Sequence, residues 1–387
     1  MKKIIPSLSK MWLKVINLEQ SLFPRMETVV GTLSPKEEKL MKVLDFAEIE
    51  NFVCTIHITN SPKDREEMAR AFVAKQVYNF QTTRELIDRL KIDRTLRLLC
   101  GWRHQNKIPS ESKFSRVFDE FSTQRLSAKA HDVFIENYLS EIIFFYNSSD
   151  STAIELREKS VKKEEPKETE PKRKQGRPKK GETVPAKKQT ILQQQENMQS
   201  TEEMLSLIAT QCDTSIKQNS KGNRYRWTGG KLHLSVVDGD IPITAIYSSA
   251  SVHDSSLALP LIKETSQKVN YLYDLQDAAY DSRIIRSYSQ KHNHRPIIDI
   301  NPKNSKVRKE QIALAKSEKK ILGSMGLYND SDDLHYNQRS SVERVNAYLK
   351  DNYGCNKIYY KGDTKVASVL GFAVLSVCIT QALKPIT

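Results

Sequence analysis

The sequence predicts an α/β domain preceded by an all-α N-terminal region, on three observations. Residues 1 to about 140 carry apolar side chains at helical spacing, and strand-like alternation is scarce there. From 226 onward, short alternating runs bounded by turn residues are interleaved with helical stretches, the pattern of a layered α/β architecture. Between them, about 157 to 225 is rich in Lys, Glu, Pro and Gln with few large apolar residues. Such a segment cannot offset its ordering entropy by burial and is expected to be mostly disordered. The expected organisation is therefore 1–140 helical and 141–386 α/β, the latter interrupted by a 157–225 insert.

Each element has a local cause. In the N-terminal region, 84 to 91 and 95 to 102 read as short helices. Phe114, Val117, Phe118 and Phe121 form one stripe of a third helix, which Pro109-Ser110 would start and cap. The outer face of that helix carries Lys113 and Arg116, so a helix-turn-helix reader with 111–122 as recognition helix is one reading. An ordinary helical bundle with a basic face is the other. Lys231–Val237 and Ile241–Tyr247, separated by a turn-forming Asp238-Gly239, read as a β-hairpin. A helix over 255–268, capped by Asp254 or Ser255, a strand over 269–275, a helix over 282–291 and a short strand over 296–300 follow. A basic, irregular segment then leads to a helix beyond residue 340. Val366–Leu383 is uncharged, and Ser368, Ser376, Thr380 and Gln381 interrupt its apolar run. It reads as a buried helix rather than a membrane span.

Composition narrows the partner. The chain has 61 Lys and Arg against 47 Asp and Glu, a formal net charge of +14, which favours a polyanion: nucleic acid or an anionic membrane surface. The five cysteines lie far apart with no CxxC, which argues against a zinc site or disulfide framework and for a reducing compartment. After Met1-Lys2-Lys3 the apolar run is broken by Pro6, Ser7, Ser9 and Lys10, so no signal peptide is expected.

The most specific signal is Tyr336-x2-Arg339-x3-Glu343-x6-Lys350. On a helix, Arg339, Glu343 and Lys350 share one stripe and Val342, Val345 and Leu349 a second, about a quarter turn away. Such a helix packs on a core and holds a carboxylate between two cations at the rim. The alternative for Glu343 is a capping box with Ser340. Two further carboxylates stand out. Asp150 lies in Phe145-Tyr-Asn-Ser-Ser-Asp150-Ser-Thr, where a strand would put Asp150, Thr152 and Ile154 on one face and an Asx turn would instead end the apolar run. Asp277 lies in Tyr273-Asp274-Leu-Gln-Asp277-Ala-Ala-Tyr280-Asp281, at the C-terminal end of a predicted strand, where α/β sheets collect ligands. Asp274 is its competitor, and Asp281 reads as a helix cap.

These blocks, in this order, resemble the DDE-type transposases of bacterial insertion sequences. The resemblance spans about 140 to 365. Leu98-Leu-Cys-Gly-Trp102 and Pro109-Ser-Glu-Ser-Lys-Phe-Ser-Arg116 resemble the N-terminal part of some members. It implies an RNase H-like catalytic domain, a five-stranded mixed sheet with helices on both faces. It also implies that Asp150, Asp277 and Glu343 hold two Mg²⁺ or Mn²⁺ ions, that Arg339 and Lys350 contact DNA phosphates, and that Tyr336 helps order the strand. The implied reaction is phosphodiester hydrolysis at the element's ends followed by strand transfer. The implied partner is double-stranded DNA, bound by a homodimer in the bacterial cytoplasm at the nucleoid, with no membrane or small-molecule substrate. Two rivals remain: a non-catalytic DNA-binding relic, and a metal-dependent nuclease without strand transfer.

Within the insert, Pro171–Lys188 has eight basic residues against one acid, a surplus equal to half the net charge of the chain. Its Lys172-Arg-Lys174-Gln-Gly176-Arg177-Pro178-Lys179-Lys180 resembles an AT-hook. Gly176 permits close approach, Pro178 keeps the chain extended, Arg177 suits a narrow A·T minor groove, and Lys174, Lys179 and Lys180 suit phosphates. A solvated basic linker is the alternative. Arg224-Tyr-Arg-Trp227 adds aromatic and basic groups that can stack on a strand or pack on the sheet.

Overall fold

The computed structural model describes residues 4–53, 64–161, 189–218, 222–302, 305–325 and 331–385. The N-terminal region is helical as the spacing predicts: α1 Ile4–Asn17, α2 Phe23–Val30, α3 Pro35–Ala47, α4 Ile49–Val53, α5 Arg65–Val77, α6 Thr83–Ile92, α7 Arg94–Cys100, α8 Glu111–Thr123 and α9 Leu126–Tyr138. Local signals set the boundaries. Ser34 and Glu37 close a capping box at the start of α3, and Gly101, at φ +109°, ends α7. The α8 stripe Phe114, Val117, Phe118 and Phe121 is buried, with three of its rings against Phe72 of α5. Ser110 precedes α8 but bonds the Ser112 hydroxyl instead of capping the helix.

The remainder builds a mixed sheet: β1 Ile143–Leu156, α10 Ile191–Gln195, α11 Thr201–Ser206, β2 Asp213–Gln218, β3 Arg224–Val237, β4 Ile241–Ser249, α12 Ala258–Lys268, β5 Asn270–Gln276, α13 Arg283–Lys291, β6 Arg295–Ile298, α14 Lys306–Ser324, α15 Ser331–Tyr336, α16 Ser340–Asn352, β7 Lys357–Ile358 and α17 Asp363–Leu383. The predicted hairpin is β3–β4, closed through Gly239 (φ +80°) and Asp240 (φ +60°). Five strands form the run β4-β3-β1-β5-β6, antiparallel from β4 to β1 and parallel from β1 to β6. Among the described residues the sheet has seven strands where five were expected. The reason is length: β1 and β3 both overrun the central run, and β2 and β7 pair with the overhangs.

Two expectations about disorder are corrected. Part of the 157–225 insert folds, because residues 189–218 form α10, α11 and β2. Both short helices begin with capping boxes, Thr190 with Gln193 and Ser200 with Glu203. Buried Gln195 anchors them by donating to the carbonyls of Met204 and Ser256, so a polar composition here conceals burial. The basic segment before residue 331 is also helical, as α14. It buries none of its side chains, which is why its composition reads as irregular. The hook residues Lys174, Gly176, Arg177, Pro178, Lys179 and Lys180 lie outside the described residues.

The last helix, α17, is long and apolar enough to cross a membrane, yet 83% of its most apolar window is buried inside the protein. It packs on α3, α5, α8 and α9 on one side and on β4 on the other, so one core joins the helical region to the sheet. Gly371 allows that packing: a Cβ there would stand 2.4 Å from the Ser127 hydroxyl of α9. Gly371→Ala is therefore expected to lower stability by about 1–3 kcal/mol through overpacking. Gly323→Ala, in α14 with nothing within 4 Å, should cost nothing. Chemical denaturation of the two variants checks the contrast.

Candidate active site

The parallel register of β1 and β5 ends with Ser149 opposite Gln276. The next residue on each strand is an acid, Asp150 on β1 and Asp277 just past β5. Adjacent strands lie about 4.8 Å apart, so the pairing brings these carboxylates together where β5 stops and β1 continues along β3. Asp150 thus sits within a strand, and no Asx turn forms there. Asp277 caps the short turn Ala278–Tyr280, its Oδ1 accepting from the Ala279 N–H at 2.9 Å, with Tyr280 buried behind it.

Glu343 comes from α16. Val342, Val345 and Leu349 are buried, as the second stripe requires, and α16 packs on β1 and β3. Arg344 fixes the helix from outside by pairing with Asp240 in the β3–β4 turn at 2.6 Å. No capping box forms. The Ser340 hydroxyl donates to the Asn337 carbonyl, and Glu343 instead accepts from Arg339 at 2.5 Å. The Tyr336 ring lies 5.7 Å from the Arg339 guanidinium, and its hydroxyl bonds Asp299.

Asp150, Asp277, Glu343 and Arg339 line one cavity of about 450 Å³. Two residues that sequence reasoning missed line it too. Asp254 and Lys231 form a 2.8 Å ion pair on its wall. The sequence reading made Asp254 or Ser255 a helix cap, but His253 caps that turn and Asp254 faces Lys231. The available signal was a lysine at the start of the predicted hairpin and an acid just after its second strand. Ser215, Ile216, Lys217 and Trp227 from the β2–β3 arm complete one wall, and Trp227 is buried against it.

The other expected residues lie elsewhere. Lys350 is half-buried at the far end of α16 beside Lys217 and Glu155, and is not part of the cavity wall. Asp274 is fully buried, bonded by Asn147 at 3.0 Å and by the Ser289 hydroxyl. Asp281 is not the cap of α13; Ser282 holds that position, and Asp281 pairs with Arg286 and Arg308. On α8, Lys113 is paired with Asp64 while Arg116 is exposed.

Electrostatics separate the carboxylates. Burial pushes Asp150 up to about 6; its neighbours Asp277 and Asp254 add to this, and the Ser151 N–H and Arg339 oppose it. Burial also raises Asp277, against the Ala279 N–H and Arg339. Asp254 is buried as well, but Lys231 outweighs the desolvation and holds it below the ordinary carboxylate range. Among the described residues, no three His, Cys, Asp or Glu side chains already form an ion-holding cluster, and Glu343 is engaged with Arg339. The donors are all hard carboxylate oxygens, which fits a hard divalent cation such as Mg²⁺ or Mn²⁺ rather than a thiophilic one.

Carboxylates gathered at the end of a parallel strand pair, in an open polar cavity on a basic protein, define the class of enzymes that cut and join phosphodiesters. The chain matches the Transposase domain (DUF772) over residues 32–120 and the Transposase DDE domain over residues 149–379. The second match covers more than half of the sequence, and the chain belongs to the transposase DDE domain family. No curated protein and no solved structure matches it.

A carboxyl held above its unfolded value disfavours the ionised native state at neutral pH. The cost of Asp150 is absent below about pH 4 and complete once pH has passed about 6. In metal-free protein at pH 7.5, Asp150→Asn is expected to raise unfolding free energy by about 2 kcal/mol. The gain should vanish near pH 4, as denaturation at the two pH values would show.

Proposed function

We infer how this transposase, an enzyme of a family that cleaves DNA, transfers the cut strand and generally depends on a divalent metal, carries out its reaction. We propose that Asp150, Asp277 and Glu343 are its metal-binding carboxylates, holding two Mg²⁺ or Mn²⁺ ions. The observation that carries the reading is the β1–β5 register, which sets Asp150 beside Asp277 at the mouth of the cavity that Glu343 also lines. The ions, when bound, supply activation of the attacking oxygen and stabilisation of the leaving oxygen. The protein's own residues do the rest. Glu343 turns from Arg339 toward the two aspartates, and the released guanidinium faces a backbone phosphate. Tyr336 orients that guanidinium through its ring. Lys350, about 10 Å further along the helix axis, contacts the duplex outside the cavity. Water attacks the phosphodiester at the element's end, and the freed 3′-OH attacks target DNA.

The same reading takes β4-β3-β1-β5-β6 as the RNase H-like core, with 1–140 as a DNA-binding domain presenting Lys113 and Arg116. It takes Lys174, Gly176, Arg177, Pro178, Lys179 and Lys180 as a minor-groove hook and a homodimer as the working form on DNA. A cleavage assay with Mg²⁺ on plasmid DNA carrying the sequences that flank the gene tests it. Joining of the 3′-OH end to a second duplex separates a transposase from a plain nuclease, and absence of cutting would favour an inactive relic.

Asp277→Asn is expected to abolish cleavage, by at least about 10³-fold, with end-DNA binding retained. Asp274→Asn should reduce stability and leave residual cleavage; the opposite ranking would reassign the site. In the hook, Arg177→Ala should weaken binding more on A·T-rich than on G·C-rich duplexes at fixed salt. Lys179→Ala should weaken both equally and flatten the salt dependence.

A further inference from the structure

The cavity contains a cation that the three-carboxylate scheme leaves unused. Lys231 enters from β3, where its backbone pairs with Ala153, three residues beyond Asp150 on β1. Its Nζ donates to the Val252 carbonyl and to Asp254 Oδ1, each at 2.8 Å. The side chain is 17% exposed. Ser151, the residue next to Asp150, also favours the ionised Asp254 carboxylate. An ammonium has three N–H donors. Two of Lys231's are engaged, and among the described residues no third acceptor is bonded to it.

The other cations of the site are less suited to a phosphate at the reacting centre. Arg339 is held by Glu343, Lys350 lies outside the cavity, and Lys217 stands on the exposed β2 arm. A phosphodiester entering a cavity lined by four carboxylates is stabilised by a fixed positive group in addition to any metal ions those carboxylates hold. Lys231 is already oriented by two acceptors, so its alignment costs no reorganisation when charge develops.

We propose that Lys231 is a catalytic residue whose remaining N–H donor holds a non-bridging oxygen of the scissile phosphate, and that Asp254 is a positioning residue that aims it. The proposal rests on the transposase reading of the same cavity. In cleavage, the water oxygen bonds to phosphorus as the P–O3′ bond breaks. The water proton leaves to solvent and the 3′ oxygen takes one up. Lys231 remains protonated throughout and stabilises the charge spread over the equatorial oxygens.

The test is single-turnover cleavage of the flanking-sequence DNA at saturating DNA and Mg²⁺. Lys231→Met should lower the rate about 100-fold, with DNA affinity and Mg²⁺ dependence near those of the wild type and a lowered melting temperature from the unpaired Asp254. Lys231→Arg should recover part of the rate. Asp254→Asn should lose an intermediate amount without a shift in Mg²⁺ dependence. Sulfur at one non-bridging position of the scissile phosphate should slow the wild type and have no added effect in Lys231→Met. That substrate also gives a readout in the wild type should the Met variant not fold. Full rate in Lys231→Met, or a large rise in the Mg²⁺ needed by Asp254→Asn, overturns the proposal, the latter making Asp254 a metal ligand. Failure of the wild type itself to cleave would instead overturn the reading of the cavity.

Discussion

The parallel pairing of β1 with β5 is the constraint on which the rest of the site depends. It decides that the residue just beyond the β1–β5 pairing on each side is an aspartate and that both open into one cavity. A slip of one residue would turn Asp150 to the other face of the sheet. The register is defended on both sides. β3 pairs with β1 along nine residues, from Asn147 to Glu155, and Asn147 bonds buried Asp274 across the β1–β5 pair. Asp274 therefore serves the alignment of the strands, while Asp277, three residues on, lies in the cavity.

A cavity with four carboxylates is electrostatically costly, and the protein meets the cost by pairing. Arg339 engages Glu343, and Lys231 engages Asp254. Asp150 and Asp277, which have no ion-pair partner among the described residues, carry the raised proton affinities. The two pairs differ in kind. Arg339–Glu343 joins side chains one helical turn apart, with Glu343 half-exposed, so it can open at little cost. Lys231–Asp254 is more buried and has a further anchor at Val252, so it stays in place.

Much of the site was legible because each carboxylate sat in a local pattern: a strand, a strand end followed by two alanines, and a helix with two stripes. The buried faces of α8 and α16 followed from spacing, and the burial of α17 from an uncharged apolar run interrupted by polar residues. What escaped was non-local. Lys231 and Asp254 are separated by a whole hairpin, and only the β3–β4 pairing brings them together. The folding of 189–218 escaped because its anchor is a buried glutamine, which composition counts as polar. The helicity of α14 escaped because it buries none of its side chains and so carries no apolar stripe. Lys350 shares a helix stripe with Arg339 and Glu343 but not their cavity, because the helix runs past the cavity's edge.

The most direct measurement of the central claim is Mn²⁺ binding to the DNA-free protein by calorimetric titration. Convergence of the three carboxylates predicts that binding is lost in Asp150→Asn and Asp277→Asn and weakened in Glu343→Gln, which lacks only the group that must first leave Arg339. Binding in Asp277→Asn indistinguishable from that of the wild type would contradict it.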